Sequence, residues 1–178
     1  MSAVEDNERA FRNAVQGLIA GDFSRLEPLF EDRNGRPCRI IEWCGAGMFA
    51  SEPKALNEAL SCACFLGRPN VVEYLLNQGV SPEGGSNTGV NGFHWAANRG
   101  QLEVVRLLIE RRAPLESRNM YGGTVLGMAV WSALNEPRPN HVPIIEALIR
   151  AGAKVDDVGY PSGKEPVDEV FRRLMTTP

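Results

Sequence analysis

Apolar and polar positions recur along this chain in a helical rhythm that breaks at fixed places. Over residues 92–115, Phe93, Ala96 and Ala97 share one face of a short helix, and Val104, Val105, Leu108 and Ile109 line one face of a second. Gly100 lies between them, where the chain must turn back. The same pattern stands 33 residues upstream, where Leu60, Ala63, Gly67, Val71, Val72, Leu75 and Leu76 occupy the corresponding places. A helix pair this small cannot bury its apolar face alone, so a periodic chain of this kind must stack its pairs side by side.

The residues at these positions resemble those of a known family. The segments ALSCACFLG (59–67) and GFHWAANRG (92–100) are similar to its TPLHxAAxxG motif, and VVEYLLNQG (71–79) and VVRLLI (104–109) to its VVxxLLxxG motif. On these residues the chain is identified as a member of the ankyrin-repeat family. The resemblance implies an all-α, ankyrin-repeat solenoid of stacked helix–turn–helix pairs with β-hairpin-like finger loops. It implies further that the module is non-catalytic and binds a protein partner through its concave finger and inner-helix face.

The remaining segments are expected to complete one domain spanning 1–178. Residues 8–31 read as a divergent N-terminal capping pair, with Ala14, Val15 and Leu18 as an apolar stripe and a turn at Gly21. Ser24-Arg25-Leu26-Glu27 has the capping-box pattern, and Pro28 falls early enough in the second helix to do limited harm. The spacing from Gly21 to Gly67 is 46 residues rather than 33, so an insert is placed at 32–54. Within it, Asn34-Gly35 signals a turn, residues 39–43 suit a strand or one helical turn, and a packed loop is expected. Repeats follow at 55–86, 87–119 and 120–156. The last carries a loop insert at 134–141, because Ile144-Ile145 arrive seven residues late. Residues 157–178 form a C-terminal capping half-repeat around Val167, Val170, Phe171 and Leu174. Two departures from the family pattern stand out. Asn91-Gly92 replaces Thr-Pro, and Arg112 replaces a glycine whose left-handed conformation would cost arginine about 1 kcal/mol.

Composition narrows the function. A net charge of −3 and a pI near 5.5 argue against a nucleic-acid binder. The pairs Arg111-Arg112 and Arg172-Arg173 fall at helix ends, where they complement the dipole. No apolar run approaches the roughly 20 residues of a membrane span. The acidic N-terminus lacks the basic and apolar regions of a secretory signal. Cys38, Cys44, Cys62 and Cys64 form no disulfide framework, so a reducing, cytoplasmic home is expected.

Candidate chemistry is sparse. His94 matches the family's TPLH histidine, which implies a hydrogen-bonding role between finger loops. His141 has no carboxylate or thiol partner by spacing, and Cys38 and Cys44, six apart, lack a second ligand pair for a metal. Gly45-Ala46-Gly47 lacks the Lys-Ser/Thr of a phosphate loop. No cofactor, metal site or catalytic group is expected. The family's partner surface, carried over residue by residue, falls on Phe65, Leu66, Asn98, Arg99, Trp131 and Ser132 of the helices. On the fingers it falls on Asn87, Thr88, Val90, Met120 and Tyr121. Large apolar side chains at Phe65, Met120, Tyr121 and Trp131 are not needed by the fold and suit an interface, unless they cover one another or an insert. The expected state is a monomer. The competing readings are an enzyme or metal-binding protein using residues 38–53, and a self-associating scaffold.

Overall fold

The computed structural model describes residues 3–85 and 88–175, the side chain of Ala3 excepted. Helix α1 (Ala3–Ala20) is followed by a 3-10 helix (Phe23–Phe30), α2 (Arg39–Gly45) and a 3-10 turn (Met48–Ser51). The pairs α3 (Pro53–Leu66) with α4 (Pro69–Asn77), α5 (Gly92–Arg99) with α6 (Leu102–Glu110), and α7 (Val125–Asn135) with α8 (His141–Arg150) come next. Helix α9 (Glu165–Met175) ends the described chain. Helices α1, α3, α5 and α7 stack in one row, and α2, α4, α6 and α8 in a second. Ala63, Ala96 and Ala129 are buried in the inner row, where small side chains let the helices approach closely. Val72, Leu75, Val105, Leu108, Ile145 and Leu148 fill the space between rows. Among the described residues there is no β-strand, only isolated bridges pairing Arg33 with Arg36 and Gly85 with Asn91.

The N-terminal region departs from the sequence expectation in two ways. Residues 23–30 form a 3-10 helix with Asp22 at its N-cap and no side-chain capping bond, so the capping box at Ser24 does not form. Pro28, inside this element, has no N–H to give an α-helical ladder, and the tighter winding loses less by its absence. The insert is helical rather than a packed loop. Ile40 and Trp43 of α2 are buried, with the Trp43 ring edge-on to Phe11 of α1 at 5.4 Å. The Trp43 indole N–H donates to Asn7 at 3.0 Å, which also accepts from Arg39 at 2.8 Å. Helix α2 thus packs beside α4 and against the 3-10 helix 23–30, which itself packs on α1 and α3.

The two departures from family residues have structural answers. A Cβ placed at Gly92 would lie 2.9 Å from the sulfur of buried Cys64, so glycine lets α5 close onto α3. Asn91 caps α5 by accepting from the His94 amide at 3.1 Å. Arg112 adopts φ 56°, matching Gly79 (83°) and Gly152 (98°), and the turn keeps the same closing bond, from Ala113 N–H to the Leu108 carbonyl at 2.9 Å. The loop therefore retains the repeat geometry, with arginine bearing the strain.

Candidate partner-binding face

The fingers after α4, α6 and α8 project beside the inner helices. Finger 119–123 is organised by Asn119, whose buried side-chain oxygen accepts from the Tyr121 and Gly123 amides, each at 3.0 Å. Gly122 takes positive φ, which completes the tight turn. Neighbouring fingers are joined by the Met120 amide donating to the Thr88 carbonyl at 2.8 Å. The result holds Tyr121 outward, 82% exposed, with Met120 at 63%. Trp131, on α7, is 50% exposed.

Tyr121 and Trp131 line one groove of about 610 Å³. Gly127, Met128 and Val130 of α7 also line it, as do residues 157–159 of the next finger. Most of its surface is apolar. Arg118 at its edge pairs with Asp157 at 2.7 Å and donates to the Gly122 carbonyl.

The other expected contact positions are occupied differently. Phe65 is half-buried, edge-on to Phe23 at 5.7 Å and to Trp95 at 5.4 Å, and the Arg99 guanidinium lies 4.6 Å from its ring centre. These side chains cover one another and bind the 3-10 helix 23–30, α3 and α5 together. Leu66 is half-buried as well. Val90 and Ser132 are buried, which corrects the expectation that they project from the finger and helix. Ser132 sits at the interface of α5 and α7, where its hydroxyl accepts from Asn98 at 2.9 Å, so Asn98 is also spent within the fold. Thr88 is half-buried, and Asn87 lies outside the described residues. Sequence reasoning missed Met128, Leu134 and the 157–159 finger as groove residues, since the second finger joins the groove only through stacking.

The two histidines and Cys62 and Cys64 are buried within the fold. His94 places Nδ1 2.8 Å from Asn91 Oδ1 and Nε2 3.2 Å from the Gly123 carbonyl. Burial pushes its pKa down, and so too for His141. Burial raises the thiol pKa of Cys62 and Cys64, which disfavours the reactive thiolate. Among the described residues no group of three or more His, Cys, Asp or Glu is placed to hold a metal ion. No described helix is long and apolar enough to cross a membrane.

The family model described as Ankyrin repeats (3 copies) matches residues 60–158. The chain belongs to the ankyrin-repeat family. Ankyrin repeats are generally protein–protein interaction modules. Curated ankyrin proteins with similar segments include the human Ankyrin repeat and KH domain-containing protein 1, 30% identical over 100 residues, covering 56% of this chain and 4% of that protein. The human B-cell lymphoma 3 protein is 31% identical over 103 residues, covering 56% of this chain and 21% of the relative. The Drosophila melanogaster Ankyrin repeat and KH domain-containing protein mask is 31% identical over 111 residues, covering 62% and 3%. This ankyrin chain therefore spans only a small part of the relatives it matches.

Proposed function

We propose that this ankyrin-repeat chain is a non-catalytic interaction module that binds a protein partner through the concave face around Tyr121 and Trp131. One observation carries the reading. These two aromatic side chains stand exposed at one apolar groove, whereas Phe23, Phe65 and Trp95 are packed on each other and Phe11, Trp43 and Phe49 likewise. Exposed aromatics around a concave apolar surface favour partner binding, since little else in the fold requires them there. Four free cysteines, three of them buried, support a reducing, cytoplasmic setting. The net charge of −3 favours a protein over a nucleic acid.

Affinity capture from the host lysate tests the reading, with the wild-type chain compared with Tyr121→Ser/Trp131→Ser. A protein held by the first and lost by the second identifies the partner and its surface together. Equal retention by both baits removes this face from the interaction. Light scattering across concentration tests the competing case, self-association through the same patch, and a mass that rises with concentration would favour it over a foreign partner.

A further inference from the structure

One register position of the repeat is filled in three different ways. Ser61, His94 and Gly127 stand 33 residues apart on α3, α5 and α7. At the middle position the imidazole is fully buried and reaches the Gly123 carbonyl, so it fills the gap between its own helix and the following finger. At Gly127 that gap is open. A Cβ placed there meets only the Thr124 hydroxyl oxygen within 4 Å, at 3.4 Å, an ordinary contact. The groove beside Tyr121 and Trp131 includes this vacated position.

Neither conformation nor packing asks for glycine at residue 127. It is not among the glycines of positive φ, and nothing approaches it as Cys64 approaches Gly92. Inside a helix glycine is less favourable than alanine. What glycine does provide is depth, at the place where the preceding repeat holds a planar ring.

The rim adds no preference for either sign of charge. Asp157 borders the groove and pairs with Arg118 at 2.7 Å. Asp156 and Glu136 are exposed, and Glu136 stands with the cations Arg138 and Lys164, all three acting on His141. Lys164 keeps its charge while donating to the Ala133 carbonyl at 2.8 Å. Selection by this groove therefore rests on its shape and apolar surface.

We propose that the groove above Gly127 receives an aromatic side chain of a protein partner. The proposal rests on the reading of this face as the partner surface. The ring enters the space that imidazole fills one repeat earlier, flanked by Tyr121 and Trp131, whose faces and edges suit aromatic packing, and by the sulfur of Met128.

The test is a titration of the full-length, 15N-labelled chain with three capped dipeptides, acetyl-Trp-Lys-amide, acetyl-Trp-Glu-amide and acetyl-Leu-Lys-amide. The first two are expected to shift the Gly123, Gly127 and Gly159 amides saturably and alike, and the third not at all. Gly127→Ala should retain the response, while Gly127→His should weaken it by roughly tenfold or more. Gly127→Leu is the second blocking variant if the histidine variant does not fold, with folding checked by thermal unfolding. Equal response to the leucine probe, an undiminished response in a folded blocking variant, or no saturable shift with any probe overturns the proposal. Lysate capture separates this proposal from the broader one. If Gly127→His holds a protein that Tyr121→Ser/Trp131→Ser loses, the interface stands and the groove assignment falls. If the tryptophan–lysine probe binds as expected and capture yields nothing, the groove assignment stands without the broader reading.

Discussion

The Nε2 of His141 donates to the carbonyl oxygen of Asn98 at 2.9 Å, joining residues 43 apart in the chain. The direction follows from the other ring nitrogen. Nδ1 accepts from the Arg138 amide at 3.1 Å, so it carries the lone pair and Nε2 carries the hydrogen. Asn140 adds a bond to the Gly100 carbonyl at 3.2 Å. The proline-containing insert thus folds onto the C-terminal end of α5, where helix carbonyls lack intrahelical donors. His141→Ala removes the ring that joins the Arg138 amide to the Asn98 carbonyl, and we expect a loss of about 2 kcal/mol in urea unfolding at pH 7. Because the bonded form is neutral, burial holds the folded pKa below the ordinary 6.5. As pH falls below 6.5 the unfolded chain gains the proton first, so this stabilisation fades. The wild-type advantage over His141→Ala should shrink between pH 7 and pH 5. An advantage constant over that range would refute the neutral assignment.

Arg112 and Gly79 hold the same left-handed place in successive repeats. Arginine there meets a steric cost that glycine avoids, while the closing bond is unchanged. Arg112→Gly should therefore stabilise the chain by about 1 kcal/mol, less the extra freedom glycine gives the unfolded state. Thermal unfolding should shift upward by a few degrees, at roughly 2–4 °C per kcal/mol for a chain of this length. A lower unfolding temperature would show that Arg112 makes an offsetting contribution.

Glu58 occupies the register position of the helix caps Asn91 and Thr124, yet α3 begins five residues earlier at Pro53, so Glu58 lies inside the helix and is buried. Desolvation raises its pKa from 4.5 to about 6. The folded state then binds the proton more tightly than the unfolded state. Its unfavourable effect is absent below pH 4.5, grows as pH rises through 6, and reaches about 2 kcal/mol at neutral pH. Glu58→Gln should stabilise the chain by that order at pH 7 and by little at pH 4.5. Equal effects at both pH values would contradict a buried, titrating carboxyl.

The side chain of Asn119 substitutes for a missing backbone acceptor by receiving two amides of its own turn. Asn119→Ala leaves those amides to solvent and releases the turn that presents Tyr121. We expect a loss of about 1–2 kcal/mol in stability. We also expect faster hydrogen exchange at the Tyr121 and Gly123 amides than at the Ala113 amide of the preceding turn. Unchanged exchange at residues 121 and 123 would show that the neighbouring finger, through Thr88 and Met120, suffices to hold the turn.

Spacing in the sequence established the repeats, because a helix pair that must stack on a copy of itself repeats its buried positions at a constant interval. Gly67 and Gly100 marked the inner turns, and Val71–Val72 and Val104–Val105 the outer helices, since each answers to local backbone or burial demands. The insert was less legible. Seven residues of α2 are too few for a period, and their helicity depends on Trp43 finding Phe11 and Asn7 far away in sequence. The proposed partner face divided along the same line. That Tyr121 and Trp131 stand exposed was expected from their register. That Phe65 is covered by Trp95 and Arg99, and Ser132 by Asn98, is a matter of neighbours one repeat away. The groove itself came only from stacking. A missing side chain at Gly127 becomes a cavity only when finger 119–123, α7 and finger 157–159 are brought together, and pattern along a chain records which residues are buried, not the empty space between them.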